Sequence, residues 1–278
     1  MKKRIIILVV TLLIVLTPII SCIVAYNYNF AYSSKLIAAI EDNDIEKLED
    51  LLNKPGNVNS QPRIFSFNGT IPPISYAARY GTYEMVKLLL ENGADPNTNG
   101  FSNLKPLHWA LSGSYKSVDN RFDIAKLLIQ YGADIHAIST GGETVVEGIF
   151  HSIEKDDEIE ELEQYEFLLF LIENGVDIYA NTQYMDSNIL FCAAYAGNVM
   201  VCKFLIEEYS FDINQVTPNN YTILMAAAYD RYDNPKAVSY LLEMGADPNI
   251  INSDNKTAYD IAVENESYEI ADLIKSYM

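Results

Sequence analysis

Four near-copies of one eight-residue phrase constrain this chain more than any other feature. Leu-Leu-Leu-Glu-Asn-Gly-Ala-Asp spans 88–95, and Leu-Leu-Ile-Gln-Tyr-Gly-Ala-Asp spans 127–134. Phe-Leu-Ile-Glu-Asn-Gly-Val-Asp follows at 170–177 and Tyr-Leu-Leu-Glu-Met-Gly-Ala-Asp at 240–247, with a looser copy ending at Phe211-Asp212. Each phrase joins an apolar helical stripe to a glycine at the point where a helix stops, since glycine reaches the left-handed region without penalty. An alanine-rich stretch lies upstream, as in Tyr76-Ala77-Ala78, Trp109-Ala110, Cys192-Ala193-Ala194 and Ala226-Ala227-Ala228. A chain built this way reads as stacked units, none of which buries its apolar face alone.

The two elements together resemble the ankyrin repeat. Its pattern runs Thr-Pro-Leu-His-x-Ala-Ala, then Gly, then Val-Val-x-Leu-Leu-Leu-x-x-Gly-Ala-Asp. The phrase ends Asn57, Asp95, Asp134, Asp177, Asp212 and Asp247 are 38, 39, 43, 35 and 35 residues apart. The family period is about 33, so the excess must be insertions. Aligning the pattern's Leu position places five residues near 60–67, six near 114–119 and ten near 153–162. The resemblance therefore implies an all-α solenoid of helix-turn-helix units with projecting turns over residues 31–278. Seven units are expected, at 34–59, 69–98, 99–138, 139–180, 181–215, 216–250 and 251–278, the outer two acting as caps. The unit 139–180 departs furthest from the pattern: Val145-Val146-Glu147-Gly148 replaces the Leu-His-x-Ala-Ala signature, which predicts a distorted first helix.

Residues 1–30 read as a targeting segment, a hydrophobic helix ahead of the repeats. Lys2, Lys3 and Arg4 precede a stretch from Ile5 to Tyr26 without a charge, long enough to span a bilayer. The cations orient that end to the cytoplasm and send the repeats to the periplasmic or extracellular side. Ile19-Ile20-Ser21-Cys22 also resembles a bacterial lipobox, making Cys22 a lipidation candidate. Uncleaved anchor, lipoprotein and cleaved signal stand as alternatives.

Charge excludes one class of function. Lysine and arginine total 19 against 38 acids, a net −19, and the +3 of residues 1–22 leaves −22 on the other 256 residues. Neutralising nucleic-acid phosphates needs the opposite sign, so no nucleic acid is expected, and a partner selected by charge is basic. Eight carboxylates crowd between Glu154 and Glu166, which read as a solvated helix extension.

No catalytic, cofactor or metal set emerges, so neither an enzyme nor a small-molecule substrate is expected. His108 matches the structural histidine of the family pattern. His136 and His151 lack a second ligand at helical spacing. Cys192 and Cys202 read as buried thiols or, after export, as a disulfide pair.

The resemblance points to protein binding through first-helix residues beside the alanines and through the turns. Carried over position by position, the candidates are Tyr76, Arg79, Tyr80, Phe101, Trp109, Tyr184, Tyr195 and Tyr229, with Asn97, Asn103 and Asn220 along the turn edge. Each tyrosine has two readings, partner contact or packing between adjacent first helices. The function implied is a membrane-tethered interaction module displayed outside the cytoplasm. The alternative is an acidic structural or cation-buffering surface protein without a dedicated partner.

Overall fold

A computed structural model describes residues 17, 21, 27–61, 63–64, 69–112, 121–150, 158–180, 188–229 and 235–278. The stretch on which the anchor and Cys22 readings rest lies almost wholly outside the described residues, as do Cys22 itself, Tyr184 and His151. Among the described residues no helix is long and apolar enough to cross a membrane.

Helices succeed one another in pairs, as the repeat pattern implies. Residues 27–41 are helical (α1), followed by α2 (Ile45–Leu52), α3 (Pro73–Tyr80), α4 (Tyr83–Glu91), α5 (Pro106–Leu111) and α6 (Arg121–Gln130). Then come α7 (Val145–Gly148), α8 (Glu158–Glu173), α9 (Ile189–Tyr195), α10 (Val199–Tyr209), α11 (Ile223–Ala228), α12 (Lys236–Glu243), α13 (Ala258–Glu264) and α14 (Tyr268–Lys275). Part of the insertion expected near 60–67 forms a two-residue hairpin ladder, β1 (Arg63–Ile64) against β2 (Gly69–Thr70), antiparallel.

The chain divides into two compact units. The first holds residues up to 101 with 105–110 and 118–133. Here α2 packs on α4, and both α3 and α4 pack on α6. The second unit holds residues 102–104, 111–117 and 134–278. In it α9, α11 and α13 form one row of first helices, and α8, α10, α12 and α14 form a row of second helices. Ala77, Ala78, Ala193, Ala194, Ala227 and Ala228 are buried; small side chains there let helices approach closely. The second helices bury Met85, Val86, Leu89 and Leu90 in α4 and Val201, Cys202 and Leu205 in α10.

Glycines at 93, 132, 175 and 245 all have φ between +84 and +96°. Behind the first, Ala94 N–H donates to Leu89 C=O at 3.0 Å, the bond that reverses the chain after a left-handed residue.

Helix α1 runs through residues 30 and 31. The Tyr28 hydroxyl donates to Pro55 C=O at 2.6 Å and Asn57 N–H donates to Asn29 Oδ1 at 3.3 Å, so α1 is tied to the following turn from its first described turn. The boundary at 30/31 cuts a continuous helix, because the sequence offers no stop signal between Asn27 and Glu41.

In the unit read as distorted, α7 has only four residues. Thr144 and Glu147 close a capping box at its start. Gly148 lies where a Cβ would come 2.8 Å from Leu111 Cβ, so this turn packs on Leu111 in place of the usual alanines. Part of the expected ten-residue insertion is helix: α8 runs for 16 residues from Glu158, beginning inside the acidic stretch.

Candidate functional site

On the first-helix face of the first unit, α3 presents Tyr76, Arg79 and Tyr80. Spacing of three and four residues puts these side chains on one stripe. The Tyr76 hydroxyl donates to Glu41 Oε1 at 2.8 Å. Burial, then this bond to a carboxylate, raises its pKa. The Tyr76 and Tyr80 ring centroids are 4.8 Å apart. Arg79 sits between two rings: its guanidinium carbon is 5.4 Å from the Tyr80 centroid and 5.0 Å from the Trp109 ring. Trp109 is only 3% exposed and serves as the floor beneath Arg79. His108 is buried and accepts from Lys105 N–H through Nδ1 at 3.2 Å, a local bond that holds the entry to α5.

On the first-helix face of the second unit, Tyr195 and Tyr229 stack with centroids 5.8 Å apart and planes 20° off parallel. They remain 45% and 39% exposed. Beside them is a residue that sequence reasoning missed, Tyr221. Its hydroxyl donates to Met225 C=O at 3.2 Å. Burial, followed by the neighbouring Tyr229 and Tyr195, pushes its pKa up to about 12. Tyr221 lies in the turn before α11 rather than beside its alanines, so the helical pattern carried no signal for it.

The turns behave differently from the expectation. Asn97 Nδ2 donates to Gly132 C=O at 2.8 Å, Asn103 Nδ2 to Ile138 C=O at 3.1 Å, and Asn220 Nδ2 to Ile251 C=O. These amides staple successive turns together, so each commits one of its two N–H donors within the fold. The same staple recurs as Asn59 to Gly93 C=O and Asn214 to Gly245 C=O. In both, the asparagine Oδ1 also accepts the N–H of the next turn's aspartate, Asp95 or Asp247, at 2.8 Å. A signal existed in the sequence: asparagine stands two places after the phrase-ending residue at 59, 97, 214 and 249, with His136 and Tyr179 elsewhere. At 179 the ring stacks on Phe211 at 5.0 Å and the hydroxyl donates to Tyr209 C=O. Phe101 is 43% exposed in the 3-10 turn Phe101–Asn103.

Among the described residues no three His, Cys, Asp or Glu side chains gather as a metal-holding group. Cys192 and Cys202 are free thiols, and burial, then Glu147 or Glu161 respectively, pushes each up to about 12. A buried polar link joins α8 to α10: Asn198 Nδ2 donates to Gln164 Oε1 at 2.8 Å while its Oδ1 caps α10. An open groove of about 1170 Å³ crosses the second helices of the second unit, lined by Leu162, Met200, Lys203, Lys236 and Glu243 among others.

Comparison with known proteins places this geometry. A family model described as Ankyrin repeats (3 copies) matches residues 36–139 and 159–252. Alpha-latrocrustotoxin-Lt1a of Latrodectus tredecimguttatus is 29% identical over 201 residues, 69% of this chain and 13% of the toxin. A putative ankyrin repeat protein of fowlpox virus, FPV024, is 28% identical over 209 residues, 67% of this chain and 31% of that protein. The chain thus spans under a third of either relative. The crystal structure of the human ASB11 ankyrin repeat domain aligns with TM-score 0.64 at 21% identity, covering 87% of this chain and 97% of that one.

Proposed function

The chain belongs to the ankyrin-repeat family, and from that premise we propose that it captures a partner protein through its first-helix face while held at a membrane. Ankyrin-repeat domains are typically protein–protein interaction modules and typically non-enzymatic. The reading rests chiefly on one observation. Tyr195 and Tyr229 are two large rings stacked on one another and left substantially exposed where the fold had alanine neighbours to bury. Aromatic side chains already ordered by mutual stacking lose little rotamer freedom on binding, which is why they anchor interfaces. Within the first unit, Tyr76, Arg79, Tyr80 and Phe101 form a candidate surface of their own. With −22 on residues 23–278, the partner is basic overall, since potentials across an interface are complementary.

Tethering is part of the proposal and comes from the sequence: three cations, then an uncharged run from Ile5 to Tyr26. Repeats displayed on the periplasmic or extracellular side follow from that orientation. Intact mass of the mature chain separates a lipidated Cys22 from a full-length anchor.

The binding test is quantitative pull-down from native membranes after crosslinking, comparing wild type with Tyr195→Ala/Tyr229→Ala. Loss of a central aromatic anchor costs about 2 kcal/mol or more, about 30-fold in affinity. Far-UV circular dichroism must remain that of wild type. Equal capture by the double variant would remove this face from the interface.

A further inference from the structure

Acids outnumber basic residues two to one, yet Arg79 has neither an ion-pair nor a hydrogen-bond partner among the described residues, and its Nε is buried without one. Its guanidinium is instead held between the Tyr80 and Trp109 rings. Such contacts fix a planar cation without using its N–H donors. The Tyr76 hydroxyl, one turn before Arg79 on α3, is already committed to Glu41. What results is a positioned guanidinium whose Nε is shut inside the fold, leaving its Nη1 and Nη2 groups as the pair of donors for a partner.

We infer that the Arg79 guanidinium is the receiving site for a carboxylate of the protein partner, an aspartate or glutamate side chain. Two parallel N–H···O bonds match the guanidinium fork to a carboxylate. The charge of this chain selects carboxylate over phosphate. Repulsion from −22 grows with the charge of the incoming group, so a monoanion enters where a phosphate dianion is disfavoured. The inference rests on the binding face proposed above and deepens it. A partner that is basic overall must place one acid opposite Arg79, which sets its register along the face. A single inverted contact within a complementary pattern discriminates between partners of equal net charge.

The test uses the full chain with ¹⁵N-labelled arginine, in which Arg79 is one of five. Its Nε–H resonance is assigned by its disappearance in Arg79→Lys. Sodium acetate is titrated against sodium chloride at equal ionic strength. A saturable shift confined to Arg79 with acetate, and none with chloride, is expected. No shift, an equal shift with chloride, or the same shift at all arginines overturns the site. A larger response to inorganic phosphate than to acetate overturns the carboxylate assignment. With the captured partner, Arg79→Gln is expected to weaken binding by roughly tenfold to a hundredfold, the range of a charged hydrogen bond. Arg79→Lys is expected to restore little, because a point charge lacks the fork; full restoration overturns the bidentate contact. Trp109, the single tryptophan, reports through its emission whether either variant disturbs the packing. Capture that persists unchanged in Arg79→Gln overturns this inference and leaves the Tyr195–Tyr229 reading standing. Loss of capture in Arg79→Gln alone, with the tyrosine variant capturing as wild type does, overturns the Tyr195–Tyr229 reading and supports the Arg79 site.

Discussion

Replacing Asn198 by alanine should cost more than any surface change of similar size. Asn198 is 1% exposed and does two jobs at once. Its Oδ1 accepts Val201 N–H at 2.9 Å, capping α10. Its Nδ2 donates to Gln164 Oε1 at 2.8 Å and to Glu161 C=O at 3.2 Å, across to α8. Losing the cap costs about 1 kcal/mol. Leaving the acceptor of Gln164, itself buried, without its donor costs about 1–3 kcal/mol more. The alanine variant is therefore expected to lose about 2–4 kcal/mol. Asn198→Ser separates the two contributions, since a serine hydroxyl can still cap but cannot reach as an amide does. It should lose about half as much. Gln164→Leu added to Asn198→Ala should cost less than the sum of the single changes, because no orphaned acceptor remains. Urea denaturation followed by far-UV circular dichroism measures wild type and the four variants, Gln164→Leu alone among them, with equal slopes required before midpoints are compared. An alanine variant within about 0.5 kcal/mol of wild type would refute the reasoning, as that is the range of an unremarkable surface change. Equal losses in the serine and alanine variants would refute the cap's contribution and leave only the α8–α10 link, and a serine variant as stable as wild type would refute the link.

Two further outcomes are expected. Asn214→Ala removes bonds to both Gly245 C=O and Asp247 N–H. It should cost about 1–2 kcal/mol by the same denaturation assay, these exposed bonds being partly replaced by water. Asn249→Ala, whose amide reaches only Asp247 of its own turn, should stay within about 0.5 kcal/mol of wild type. Stability should also fall in alkali. Burial raises Cys202 from its ordinary value near 9 and Tyr221 from near 10, both to about 12. As pH rises, the unfolded chain ionises these groups first and so binds fewer protons than the folded one, and unfolding free energy declines until about 12. Denaturation midpoints across that range measure the decline, and Cys202→Ala should remove its share of the part that begins below pH 10, the buried Cys192 thiol supplying the rest.

How far the sequence could be read follows from where its information lies. Helix pairs, glycine stops and buried alanines were legible because each is a local pattern: a stripe at helical period, a residue that tolerates positive φ, a side chain small enough for close packing. The repeated phrase fixed the family for the same reason, as every unit carries its own copy. The tie between α1 and the following turn was not legible, because the contacts from Tyr28 and Asn29 reach residues 55 and 57, far along the chain. The asparagines after the phrase were visible as a pattern but not as staples, since their partners lie 31–36 residues away in the next turn.

The candidate site divides in the same way. Sequence alone placed Tyr76, Arg79, Tyr195 and Tyr229 on first helices beside the alanines, because helical spacing assigns a face. Only tertiary structure decided which of these side chains are occupied. Stacking of neighbouring repeats sends Trp109 beneath Arg79, gives the Tyr76 hydroxyl to Glu41, and brings Tyr221 beside the Tyr195–Tyr229 pair. A residue's face is set by the period of its own helix. Its partner is set by the register of the next one, which the spacing of distant turns determines and no local pattern encodes.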